Sequence, residues 1–157
     1  MALGRVPAAG VTRVRAILRT VHDPEIPTVS IVDLGLVHDV RVGPDGGVCV
    51  ELLPTFVACP ALEAIRSTVA DALAGLGRPV EVTFVRTVPW TTERLTDAGR
   101  AGLAAAGIAP PSAVADVRCP YCDSADVAMD SAFGPTLCRS LFYCRSCRNP
   151  FEAFKSV

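Results

Sequence analysis

The chain has 157 residues, 50% of them hydrophobic and 20% charged, with a formal net charge of −1. That describes one ordinary globular domain or two small ones with enough apolar material for a core, and it argues against a nucleic-acid binder, which concentrates positive charge on one face. No apolar run reaches the roughly 18 residues needed to span a bilayer, and Met1 to Gly10 reads as a flexible start with one arginine and no apolar core of a secretory signal.

In chain order, Val11, Val14, Ile17, Leu18 and Val21 recur at three- and four-residue steps, with Arg13, Arg15 and Arg19 between them. This predicts an amphipathic helix that ends at His22-Asp23-Pro24, because the residue before proline avoids the helical region. Asp23-Pro24-Glu25-Ile26-Pro27 is then a rigid turn, and Val29 to Gly35 a mainly apolar loop. Two strands follow. Leu36, His38, Val40 and Val42 alternate on one, and Val48, Val50 and Leu52 on the other. Gly43-Pro44-Asp45-Gly46-Gly47 between them carries the Asp-Gly hairpin signal.

Pro54-Thr55 stops the second strand, and Phe56 to Pro60 leads into a helix with the stripe Leu62, Ile65, Val69, Leu73 and Leu76. Pro60 suits the first helical position, where its missing N–H is no loss. Cys59 then lies at or just before a helix N-terminus, where the helix dipole and unpaired amides favour a thiolate and lower its pKa. The alternative for Cys59 is a small packed residue. Asp23 and Glu25 could fold to the same rim. His22 and His38 are lone histidines, and His38 reads as packed on its strand. A Cys59–His22–Asp23 nucleophile lacks any accompanying oxyanion or pocket motif, and there is no phosphate-binding glycine loop or Rossmann fingerprint, so an autonomous enzyme is not expected.

Val80 to Val85 is a third strand. Trp90 to Ile108 predicts a further helix starting at Thr91 or Thr92, with Gly99 and Gly102 each weakening it by about 1 kcal/mol. Ala109-Pro110-Pro111-Ser112 is a stiff linker.

The last forty residues hold the most specific pattern. Cys119-Pro-Tyr-Cys122 and Cys144-Arg-Ser-Cys147 are two Cys-x-x-Cys knuckles separated by 21 residues. Each knuckle points two thiolates the same way, and a hairpin between them would close a four-sulfur cage. Structural zinc is the first reading. An iron site, rubredoxin-like or a cluster, and disulfides are the alternatives. From Arg118 onward there are five basic and four acidic residues, so the ribbon has no basic face. Seven cysteines, four in metal spacing, suit a reducing cytoplasm. Cys49, Cys59 and Cys138 are left as free thiols.

The expected architecture is α+β: a two-layer α-β-β-α-β domain over residues 1–90, a helix and Pro-rich linker over 91–113, and a four-cysteine ribbon over 114–157.

These residues resemble a known family. Asp23-Pro24-Glu25-Ile26-Pro27, Ser30 to Val37, Pro54-Thr55 and Cys59-Pro60-Ala61 resemble the iron–sulfur assembly domain of SufT-like proteins and their eukaryotic cytosolic counterparts. Pro89-Trp90-Thr91-Thr92, Gly99-Arg100, Gly107 to Pro111, Phe133-Gly134, Pro150-Phe151 and Phe154-Lys155 resemble PaaD, the D-component family of phenylacetyl-CoA epoxidase (ring-oxygenase) systems. The resemblance implies a non-catalytic accessory protein that assists iron–sulfur or other metal-centre assembly in partner subunits, above all the iron–sulfur reductase. The alternative is a structural subunit that stays in the oxygenase complex and docks components through its ribbon. Position by position it implies that Cys59 is the reactive thiol, with Asp23, Glu25, Asp33 and Thr55 around it, and that Cys119, Cys122, Cys144 and Cys147 are the zinc ligands. A transient iron–sulfur cluster at Cys59 would need a further ligand, so a homodimer or a partner protein is implied. Three departures stand out: Phe56-Val57-Ala58 replaces Tyr-Ser-Gly before the cysteine, Asp123 replaces a glycine after the first knuckle, and the chain closes on Lys155-Ser156-Val157.

Overall fold

The computed structural model describes residues 8–157. Most of the flexible start read at Met1–Gly10 therefore lies outside the described residues, while Ala8 to Gly10 are already helical. The first unit runs helix α1 (Ala8–Leu18), strands β1 (Val37–Val42) and β2 (Val48–Leu52), helix α2 (Leu62–Ala74) and strand β3 (Val80–Phe84). The sheet has the order β1-β2-β3, with an antiparallel β1/β2 hairpin and β3 parallel to β2 after the α2 crossover. Ile65, Val69 and Leu73 of α2 and Val14 and Leu18 of α1 are buried against Val40, Val50 and Leu52 of the sheet. The α-β-β-α-β reading of residues 11–85 holds.

Three boundaries differ from the periodicity. Helix α1 stops at Leu18 instead of reaching His22, because Val21 and Asp23 are bonded to the following loop: Ile31 N–H donates to Val21 O at 2.9 Å, and Asp23 N–H donates to Val29 O at 3.0 Å. A bulge between Val37 and Asp39 breaks the β1 alternation, so Val37, Val40 and Val42 are buried and His38 is not on their face. Helix α2 begins at Leu62, with Pro60 in the preceding turn.

The predicted helix from Thr91 is two pieces. A short 3-10 turn covers Thr92–Arg94, Leu95 is extended (φ −71°, ψ 124°), and helix α3 runs Asp97–Ala105. Thr96 makes the break, accepting from Gly99 N–H at 3.0 Å as an N-cap. The two glycines of α3 have a packing reason. A Cβ on Gly99 would lie 2.3 Å from Asp33 O, and one on Gly102 2.7 Å from Thr28 O, so α3 sits directly on the 28–33 loop. Thr28 Oγ1 donates to Gly102 O and Thr96 Oγ1 to Asp33 Oδ1, tying the two segments together.

Ile108, read as the end of the helix, and Ala109, read as the start of the stiff linker, are bonded into the C-terminal sheet. Strand β4 (Ile108–Ala109) pairs in parallel with β7 (Pro150–Phe154), and the sheet continues through β6 (Arg139–Cys144) to β5 (Val127–Ser131). This ribbon has its own small core of Val117, Phe142, Phe151 and Ala153, in which the Phe142 and Phe151 rings stack at 5.6 Å. Cys138 and Phe154, by contrast, are buried in the core of the first unit. Trp90 joins the two units: its ring lies 5.7 Å from that of Phe154, and its Nε1–H donates to Leu34 O at 2.9 Å. Among the described residues no helix is long and apolar enough to cross a membrane.

Candidate metal centre and thiol site

The four knuckle cysteines converge. Cys119 and Cys147 Sγ are 3.6 Å apart, as are Cys122 and Cys144, and all four ligand atoms lie within 4.8 Å of one another. A tetrahedron with metal–sulfur bonds of about 2.3 Å has edges of about 3.8 Å. The site therefore has the size of a single tetrahedral ion, and at 3.6 Å the sulfurs are not joined as disulfides in this structure, which favours the metal reading. Cys119 and Cys144 are buried, and Cys122 and Cys147 are on the accessible side.

Knuckle geometry explains the local sequence. Asp123 N–H donates to Cys119 O, and Cys147 N–H approaches Cys144 Sγ at 3.5 Å. The residue after each knuckle turns left-handed: Asp123 has φ 59° and Arg148 φ 60°. A side chain there costs about 1–2 kcal/mol. Asp123→Gly should accordingly stabilise the metal-loaded ribbon by about 1 kcal/mol. Denaturant titration checks this, with Arg148→Gly as the parallel case. Ahead of metal binding, hydrogen bonds from the Asn149 side chain and backbone hold the Cys147 thiol down to about 6, while burial pushes Cys119 up.

At the other site, Cys59 lies in the turn before α2, half-buried, with its N–H donating to Phe56 O at 3.1 Å. The structure surrounds it with acidic groups. Burial pushes the Cys59 thiol up. The Ala61 backbone amide works against that, but the charges of Glu25, Cys138 and Asp23 add to it. The sequence-based expectation of a lowered pKa is thus overturned: one helix start is outweighed by desolvation and by neighbours folded in from other segments. At neutral pH the thiol is protonated, so iodoacetamide should alkylate it more slowly than a free cysteine. Glu25→Gln removes one raising charge, and the alkylation rate at pH 8 should increase. A rate unchanged by that substitution would remove Glu25 from the site's electrostatics.

The predicted companions of Cys59 divide. Asp23 and Glu25 are beside it. Asp23 is buried, and its Oδ1 accepts from Glu25 N–H at 2.8 Å and Ile26 N–H at 3.1 Å. Burial raises its pKa against those two bonds and the pull of Arg139. Asp33 is engaged elsewhere, accepting from Ser30 Oγ at 2.7 Å and Thr96 Oγ1 at 2.9 Å, where it fixes α3. Thr55 lines a cavity of about 320 Å³ with Phe56, Val88, Trp90 and Val157. His22 bonds through Nδ1 to Thr20 O at 3.1 Å. With the Asp23 carboxylate bonded to backbone amides, no Cys–His–acid relay is assembled.

Sequence reasoning missed two groups. Arg139, on β6, is 7% exposed; it donates to Glu152 Oε2 at 2.6 Å and to Glu25 O at 3.2 Å. Lys155 places its ammonium 5.8 Å from the Phe56 ring and 5.2 Å from that of Phe133. Both fasten the ribbon to the Cys59 and Asp23 turns. The single signal in the sequence was that Lys155 is the lone lysine beside fourteen arginines.

Comparison with known proteins gives the family. Residues 12–84 match the "Iron-sulfur cluster assembly protein" family and residues 106–155 the "PaaD zinc beta ribbon domain". The chain is 36% identical over 99% of its length, and 98% of the other's, to an Escherichia coli protein provisionally named as the D component of 1,2-phenylacetyl-CoA epoxidase. An "Fe-S protein maturation auxiliary factor" of Porphyromonas gingivalis is 44% identical over 43% of this chain and 67% of its own. A solved Bacillus anthracis structure, titled as a domain of unknown function DUF59, superposes with TM-score 0.57 and 32% identity over 60% of this chain and 92% of its own. With an assembly-type α/β unit carrying Cys59, a four-sulfur ribbon packed on it, and a relative matched from end to end, the chain belongs to the PaaD family, the D components of phenylacetyl-CoA epoxidase systems.

Proposed function

We propose that the protein is a non-catalytic accessory factor of a phenylacetyl-CoA epoxidase system, acting in the cytoplasm during aerobic phenylacetate breakdown. It assists iron–sulfur or other metal-centre assembly in partner subunits, with the cluster of the iron–sulfur reductase as its first client. The observation that carries this reading is the Cys59 thiol, presented beside Glu25 and Asp23 at the entrance of α2, on the unit that matches the assembly family. Metal cargo is handled there. Asp23 and Glu25 set the charge around the thiol, while Thr55 lies in the loop that leads into it.

The ribbon holds a structural zinc ion on Cys119, Cys122, Cys144 and Cys147. A closed four-thiolate tetrahedron leaves no open position for a substrate, and zinc supplies fold stability without redox chemistry. The ribbon is a docking module rather than a reaction centre. A single thiol does not fill the coordination of a cluster, so transfer through Cys59 calls for a second donor, from the client or from a second copy of the chain.

The test is made in cells. Cys59→Ala should lower the iron and sulfide content of the reductase while this protein and its zinc remain at wild-type levels. Unchanged reductase cluster content would overturn the reading. Stoichiometric co-elution with the oxygenase subunits would point instead to a resident structural subunit. Elemental analysis of protein purified without oxygen should give one zinc and no iron in the ribbon; iron in place of zinc would move redox chemistry into the ribbon.

A further inference from the structure

Cys138 belongs to the ribbon by sequence and to the first unit by burial. It directly precedes β6, yet its side chain is packed into the α/β core, in the same apolar cluster that Cys59 lines. The two are not bonded to each other, and a Cys138 thiolate is one of the charges that push the Cys59 thiol up. Three further contacts fix this arrangement. Arg139, the next residue, donates to Glu25 O; Lys155 N–H donates to Cys138 O at 2.8 Å; and the Lys155 ammonium lies over Phe56, whose carbonyl accepts from Cys59 N–H. The seam between the halves of the chain therefore runs between two cysteines. Thr136 Oγ1 lies 3.2 Å from Cys138 Sγ, a polar contact that also serves a thiolate.

A second observation points to a ligand. The Arg139 guanidinium is more than nine-tenths buried and uses Nη1 on Glu152 and Nη2 on Glu25 O. Among the described residues nothing accepts from its Nε–H, the one buried side-chain donor without a partner. Buried donors are almost always satisfied. This one adjoins Cys138 and shares its surroundings with Asp23 and Glu25, the groups that also face Cys59. Two sulfurs select soft transition-metal ions over hard cations. A cationic donor beside them suits an anionic co-ligand, such as sulfide, on the ion.

We propose that Cys138 is the second thiol of the Cys59 site, so that a thiophilic transition-metal ion in transit is held across the seam by one sulfur from each half of the chain. The proposal rests on the reading of Cys59 as the cargo-handling thiol. It supplies the missing donor from within one chain, without a second copy. Binding exchanges two S–H bonds for two metal–sulfur bonds and releases two protons to solvent, with no change in oxidation state. Arg139 Nε–H would donate to an anion on the ion.

The experiment uses the full chain with zinc already in the ribbon, titrated with Co(II) alone under argon as a spectroscopic stand-in for Fe(II). The wild type should bind one further equivalent, with near-ultraviolet sulfur-to-cobalt charge-transfer absorption. Cys59→Ala and Cys138→Ser should each weaken that binding by at least about tenfold, a scale that even outer-shell changes reach, and reduce the absorption of what remains. Cys138→Ser keeps the side-chain size, and retained zinc with unchanged near-ultraviolet circular dichroism certifies its fold. Should it fail to fold, Arg139→Lys takes its place, with weaker cobalt binding expected at intact zinc. Loss of binding in Cys59→Ala alone would overturn the role of Cys138 and leave the functional reading standing. No further equivalent, or one that survives every substitution, would also overturn it, and the reductase assay on Cys59→Ala then judges the functional reading independently.

Discussion

Cys144→Ser should strip the ribbon of its metal and take the ribbon's fold with it. Cys144 is 0% exposed and faces Cys122 across the site. Serine there leaves three thiolates and a buried hydroxyl where the fourth sulfur was. Structural zinc contributes about 10–16 kcal/mol to small ribbon-type folds, against about 5–15 kcal/mol of total stability for a typical domain. The metal term is thus as large as the whole margin, and Phe142, Phe151 and Val117 form too small a core to replace it. Metal per chain should fall from about one to near zero in elemental analysis.

The loss should reach the first unit. Phe154 and Cys138 would leave its core, and Trp90 would lose the ring it packs on. Trp90 is the single tryptophan, so its fluorescence reports this directly, and a red shift is expected both in the variant and in chelator-treated wild type. Emission unchanged after full metal loss would mean that the seam holds without the ribbon's fold.

Trp90→Ala should be the most damaging change away from the metal, costing about 3–5 kcal/mol. The side chain is 4% exposed, and its removal empties the junction where Phe154, the 30–36 loop and the end of the first unit meet. It also orphans the Leu34 carbonyl, which accepts from the indole N–H. Trp90→Phe separates the two effects: most of the ring volume stays and the hydrogen bond goes, for about 1–3 kcal/mol. Urea denaturation of the zinc-loaded protein measures both. In thermal terms the alanine variant should melt roughly 10 °C lower, given about 2–4 °C per kcal/mol at this chain length. Equal costs for Ala and Phe would assign the whole effect to the hydrogen bond.

What could be read from the chain was whatever repeats locally. The α2 stripe, the Asp45-Gly46 turn with Gly46 at φ +83°, and the spacing of the four ribbon cysteines each encode their geometry within a short window, and each stands as expected. What could not be read depends on partners distant in sequence. The break at Leu95 follows from Thr96 capping α3 against Asp33. Ile108 looks like the end of a helix and Ala109 like the start of a proline linker until their strand partner, more than forty residues later, is known. Cys59 shows the limit most clearly. Its position before a helix was legible, but the sign of its pKa shift is set first by burial and then by Glu25, Cys138 and Asp23, none of which a local pattern brings to it.

The strand order β4-β7-β6-β5 has a consequence for biosynthesis. Strand β7 lies between β4 and β6 but is translated after both, so the sheet stays open at its middle until the final strand leaves the ribosome. At about 5–20 residues per second, the stretch from Ile108 to Phe154 takes several seconds to make. Throughout that interval Cys138 and Phe154 are not yet seated in the core of the first unit, and Lys155 has not reached the Phe56 ring. The nascent chain thus passes through a stage at which the seam beside the Cys59 turn is still open, and the arrival of β7 ends it.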